Sequence, residues 1–89
     1  MQQDWIMEKY SMDIREVCLQ PAAQWTRPRR AETQEVLRRA NMNARHASEF
    51  LGISTSSNGR QVRKWMSEEA PIPYSAWALV CAAAGLGQI

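Results

Sequence analysis

"HASEFLGIS" (46–54) followed by "NGRQVRKW" (58–65) is the stretch whose reading decides the fold. Ala47, Phe50 and Leu51 recur at i, i+3 and i+4, which places them on the inner side of a helix over 44–51. Gly52 breaks that helix, because glycine enters the left-handed region without a steric cost. "ISTSSNG" (53–59) then reads as a polar turn. Asn58 with Gln61 three residues later is capping-box chemistry, with Asn in place of Ser or Thr. A further helix is expected over 59–67. Val62 and Trp65 are three apart and share its buried side. Arg60, Gln61, Arg63 and Lys64 face outward or flank that side.

Upstream, Pro28 suits a first helical turn, and Val36, Leu37 and Ala40 form one apolar stripe. Glu35 and Arg39 are an i,i+4 pair in the favourable order. Asn41 ends this helix and Asn43 caps the next. Downstream, "PIP" (71–73) interrupts the chain, and 74–84 form a last helix rich in small and apolar residues. It is expected to be the buried spine of the domain or part of a dimer contact. Gly85 and Gly87 end it. At the other end, 4–19 reads as a helix capped by Asp4, with Ile6, Tyr10, Ile14, Val17 and Cys18 inward. Met12–Ile14 and Val17–Leu19 also alternate as strand residues would. Pro21 ends the element, and 20–26 is a connector whose Trp25 packs onto the domain that follows. The expectation is an all-α, compact bundle of about five short helices. Residues 1–25 are expected to form an N-terminal helix or arm, a candidate dimerisation element, and 26–89 a helical domain.

At 89 residues the core must be small, and four Trp and five Met supply much of its apolar surface. No apolar run approaches the roughly 18 residues that span a bilayer, so no membrane role is expected. The start, "MQQDWIMEKY", lacks the apolar segment of a signal peptide, and the expected compartment is the cytoplasm. Cys18 and Cys81 are far apart with no CxxC pair, and read as buried free thiols. Charge is uneven. Residues 27–64 carry eight Arg and one Lys against three Glu, a net of +6, while 1–26 and 65–89 each carry a net of −2. A basic middle between acidic ends is the footprint of a surface for a polyanion. The competing account is solvated arginines paired with their own glutamates.

A helix that lies in a DNA major groove needs apolar anchors, a start near the phosphates, long donors outward and a supporting helix. Val62 and Trp65 meet the first need. Ser56, Ser57, Asn58 and Gly59 meet the second. Asn58, Arg60, Gln61, Arg63 and Lys64 are the candidate base readers, since Arg suits guanine and Gln suits adenine. Asn43, Arg45, Ser56, Ser57, Arg29 and Arg30 are the candidate phosphate contacts. Arg27, Arg29 and Arg30 stand at a helix start, where the dipole disfavours cations, so a phosphate role suits them.

"ASEFLGIS…RQVRKWMSEEAPIPYSAWALVCAAAGLG" resembles the helix-turn-helix regulators of the Cro and lambda-repressor (XRE-like) class, above all small versions encoded on mobile genetic elements. The resemblance covers about 28–87 and rests on Leu51-Gly52-Ile53-Ser54, Val62 and Trp65, and Pro71-Ile72-Pro73 before Ala76-Trp77. It implies that Asn43 to Arg45 open a support helix near phosphate and that Asn58 to Lys64 form the recognition helix. Three departures stand out. Ala44 occupies a position where the family often has a phosphate-contacting Gln. The turn after Ser54 is longer than usual. Trp65-Met66-Ser67-Glu68 replaces the usual Trp-Glu-x-Gly.

His46 is the only histidine and has no acid or thiol cluster beside it in sequence, so it reads as a surface residue and no metal site is expected. The serines at 54–57 are explained by turn chemistry. The glutamates are placed next to arginines on helix surfaces. No catalytic residue, cofactor or enzyme activity is expected. The leading expectation is a repressor that binds double-stranded DNA at a palindromic operator as a homodimer. The alternative is a protein-binding inhibitor, of anti-CRISPR or antitoxin kind, on the same scaffold, with its protein partner held through residues 1–25.

Overall fold

The computed structural model describes residues 13–53 and 58–87. Among these residues it holds four α-helices and no strand: α1 (Arg30–Arg39), α2 (Ala44–Leu51), α3 (Arg60–Met66) and α4 (Tyr74–Ala83). Two short 3₁₀ turns, Glu16–Leu19 and Ala22–Gln24, precede them. The described residues are all-α, with four α-helices where the sequence pattern predicts about five in the whole chain.

Three helix ends use one device, a left-handed residue followed by a bond back to the last full turn. After α1, Asn41 takes φ 58 and the Met42 amide donates to the Leu37 carbonyl at 3.0 Å. After α2, Gly52 takes φ 74 and the Ile53 amide donates to Ser48 at 3.0 Å. After α4, Gly85 takes φ 82 and the Leu86 amide donates to Cys81 at 3.0 Å. The start of α2 is capped by Asn43, whose Oδ1 accepts the His46 amide at 2.8 Å.

Two starts differ from expectation. α1 begins at Arg30, two residues later than Pro28, because the Glu32 carboxylate takes the Arg29 amide at 2.7 Å and makes Arg29 the cap. Arginine has no acceptor to return that bond, so only half of a capping box forms. Pro28 is buried ahead of the helix. At α3 the cap is Gly59, with no side-chain bond, and the Asn58–Gln61 box does not form. Asn58 takes φ 56, so it sits in the left-handed region one residue ahead of the cap position.

The core joins Val36 and Leu37 of α1, Ala47 of α2, Val62 and Trp65 of α3, and Ala76, Trp77, Val80 and Cys81 of α4, with Ile72 beneath. α3 and α4 each pack against both α1 and α2. α4 is therefore buried on one side, yet Leu79 on its other side is 50% exposed. Phe50 was expected inside and is 48% exposed, so Ala47 with half-buried Leu51 makes the apolar contact of α2.

The helix expected over 4–19 is not continuous. Its first part lies outside the described residues, and of 13–19 only Glu16–Leu19 coil, as a single 3₁₀ turn. Long-range bonds take the groups that a helix would need. The Arg15 amide donates to Glu32 at 2.9 Å, and its guanidinium donates to the same carboxylate through Nε and Nη2, each at 2.8 Å. The Cys18 carbonyl accepts Trp77 Nε1 at 2.6 Å. Trp25 packs edge-on against Tyr74 at 5.3 Å, as its connector position suggested.

The sequence pattern puts Glu32 and Glu35 on helix surfaces, but both are buried. A buried carboxylate must be paired, and each is. Glu32 binds Arg15, and Glu35 binds Arg38 and Arg39, each at 2.6 Å. Cys18 and Cys81 are buried free thiols, and burial pushes Cys81 up to about 12.

Candidate nucleic-acid interface

The candidate surface is built from the first turns of α2 and α3. Gly59 is buried against the start of α2. A Cβ placed on it would lie 2.6 Å from the Ala44 carbonyl carbon, 2.8 Å from its oxygen and 2.8 Å from the Arg45 amide nitrogen. Only glycine fits there, and its φ of 80 also favours glycine. The two helix starts are thereby held together, with Val62 (1% exposed) and Trp65 (6%) anchoring α3 from below.

Above those anchors Arg60, Gln61 and Arg63 are exposed and Lys64 is half-buried. Arg63 donates through Nη1 to the Asn58 carbonyl, which draws its guanidinium back over the start of α3. An open hollow there is lined by Asn43, Ala44, Arg45, Asn58, Arg63 and Met66. Four of the candidate residues thus meet in one place. Arg45 is exposed and pairs with Glu49 at 3.6 Å, an arrangement of small energetic weight. Asn43 commits its Oδ1 to capping α2.

A second hollow on the other side of α3 is lined by Arg30, Gln34, Arg63, Met66, Ser67 and Glu69. Arg63 and Met66 belong to both hollows, so Arg30 on α1 joins the same surface. The Arg30 amide donates to the Glu68 carboxylate, which ties the start of α1 to the end of α3. Gln34 donates to the Met66 carbonyl at 3.0 Å. It was absent from the sequence reading, although it follows Arg30 by one helical turn and could have been found on that spacing. Arg29 is exposed at the α1 cap and lines neither hollow. Arg60, Gln61 and Lys64 line neither hollow either and stand on the helix surface. Ser56 and Ser57 lie outside the described residues.

The site is a polar, basic, shallow surface rather than a cavity. Among the described residues no group of three or more His, Cys, Asp or Glu side chains could hold a metal ion. No described helix is long and apolar enough to cross a membrane.

No family model matches the chain, and no solved structure matches it. Two curated proteins do. One, a transcriptional repressor protein KorC of Escherichia coli, is 44% identical over 78 residues, covering 88% of this chain and 91% of its own. A second KorC from Escherichia coli is 46% identical over 77 residues, covering 86% of this chain and 89% of its own. Identity at that level over nearly the whole of both chains fixes the relationship, and this chain belongs to the family of the transcriptional repressor KorC.

Proposed function

We propose that the chain represses transcription by occupying a DNA operator, with α3 lying in the major groove and α2 set across it. α2, the turn and α3 are read as a helix-turn-helix of the Cro and lambda-repressor class, on a gene carried by a mobile element. Arg60, Gln61, Arg63, Lys64 and Asn58 would read base edges. Arg45, Asn43, Arg29, Arg30, Ser56 and Ser57 would hold the backbone on either side. One observation carries this reading: Arg30, Arg45 and Arg63 from three helices and Asn58 from the turn before α3 meet along one continuous surface around α3. Membership of a repressor family supports a DNA-binding role for that surface.

A single module of this size makes few base contacts, so two copies on a palindromic site are proposed. The DNA-binding unit is placed at 26–89 and the preceding residues are its N-terminal arm. The seating of Arg15 on Glu32 supports an arm that belongs to the unit it precedes. Repression follows if the bound dimer blocks access to a promoter.

Selection of bound sequences from random duplexes tests this. An enriched palindrome, bound with an affinity that falls steeply as salt rises, is the expected result. No enrichment over random DNA at moderate salt would sink the reading. Sedimentation of the free protein tests the homodimer, and a strict monomer both alone and on the enriched duplex would remove it.

A further inference from the structure

We propose that the corner between α1 and α2 is a further DNA-backbone contact, made by Arg38 and His46. It rests on the DNA-binding reading above and extends it to residues which that reading leaves out.

A hollow at this corner is lined by Arg38, Asn41, Met42, Asn43 and His46. Asn43 also lines the hollow that holds Arg45, Asn58 and Arg63. That hollow shares Arg63 and Met66 with the one that holds Arg30 and Gln34. The three form one path, with a cation in each, running from the start of α1 past α3 to the end of α1. Such a series suits a chain of regularly spaced phosphates better than one small anion.

Arg38 is prepared for this role. Its Nε donates to Glu35 Oε1 at 2.9 Å and its Nη2 to Oε2 at 2.6 Å. That fork uses one edge of the guanidinium and leaves Nη1 on the other edge. The Glu35 carboxylate is buried while the Arg38 side chain is 62% exposed, so a buried anchor holds an exposed donor. A donor whose rotamer is already fixed loses less entropy on meeting a phosphate. Glu35 binds Arg39 as well, so one carboxylate faces two guanidinium groups and the cluster keeps a net positive charge. His46 is exposed and lines the hollow, and its backbone amide is spent on the Asn43 cap, so its ring is the group left to donate to a phosphate.

The test compares the whole chain with R38Q and H46A. Affinity is measured against salt, on an enriched duplex and on a random one, with thermal melting of each protein. H46A removes only an exposed side chain, so it keeps the test open if R38Q loses stability. The expected result for each variant is an equal loss of affinity on both duplexes, and for R38Q, which removes a charge, a slope of log affinity against log salt smaller by about 1. Folded variants that both keep the wild-type affinity on the two duplexes, with R38Q also keeping the wild-type slope, overturn the proposal. The two readings fail separately. Absent sequence preference with the slope change retained sinks the repressor reading alone. Intact preference with unchanged affinity for both duplexes in both variants sinks this proposal alone.

Discussion

Gly59 rests directly on the backbone of Ala44, with room for a hydrogen and none for a methyl group. That contact fixes where α3 begins relative to α2, and so where Arg63 stands relative to Arg45. Gly59→Ala should cost about 2–4 kcal/mol, since it adds a backbone clash to an unfavourable φ. Gly52→Ala is the internal comparison: its φ is 74, but nothing lies within 4 Å of its missing Cβ. It should cost about 1 kcal/mol from backbone strain alone. Thermal melts of both variants decide the matter, and equal losses would show that the Ala44 contact yields without cost.

Glu68 takes φ 65 at a place where the resembling regulators commonly carry glycine. It therefore bears the strain that a glycine would avoid, and it bonds the Arg30 amide in return. Alanine would keep the strain and lose the bond. Glycine would lose the bond and relieve the strain. Glu68→Gly should thus be more stable than Glu68→Ala by about 1 kcal/mol, read from denaturant midpoints at constant m-value. An alanine variant as stable as the glycine one would mean that φ 65 stores no strain.

Acid should unfold the protein through two carboxylates. Burial pushes Glu32 up, but the Arg15 guanidinium and the Arg29 and Arg15 amides outweigh it and leave it at about 2. Glu35 is held down to about 2 chiefly by Arg38, against the opposing effect of burial, with Arg39 adding to it. Both lie below the ordinary value of 4.5, so the ionised forms favour the folded state. The stability they confer is complete above pH 4.5 and is lost as pH falls towards 2. Arg15→Ala should let Glu32 rise, and should move the acid-unfolding midpoint, followed by circular dichroism, to higher pH. A midpoint that stays in place would mean the pair contributes nothing to folding.

Local signals made most of this legible. Asn43, Gly52 and Gly85 act within a few residues of the helices they bound, and the spacing of Val62 and Trp65 shows one buried face directly. What escaped depends on partners far away in the chain. Arg15 and Glu32 are 17 positions apart, and Trp77 and Cys18 are 59 apart. No local pattern reveals that Glu32 will be buried, or that residues 13–19 will give up a helix to reach it. Phe50 has the spacing of a core residue, yet Leu51 takes the inner position. The cations of the candidate interface are visible as a basic stretch. Their convergence is not, because Gln34 and Met66 meet across 32 positions.

Arg63 and Arg45 should fail in different ways. Both line the same hollow, but Arg63 stands on the helix assigned to the groove and Arg45 on the first turn of its support. A base contact discriminates among sequences, whereas a phosphate contact adds the same affinity to every duplex. Arg63→Ala should therefore lower preference for the enriched site by about 1–3 kcal/mol and narrow the gap to random DNA. Arg45→Ala should weaken both duplexes alike and reduce the salt slope by about 1. Its loss should touch folding little, because the Arg45–Glu49 pair is exposed on both sides. Competition binding with matched and scrambled duplexes at two salt concentrations separates these outcomes. If Arg45→Ala alone erased sequence preference, the two helices would have to exchange roles, with α2 reading the bases and α3 lying along the backbone.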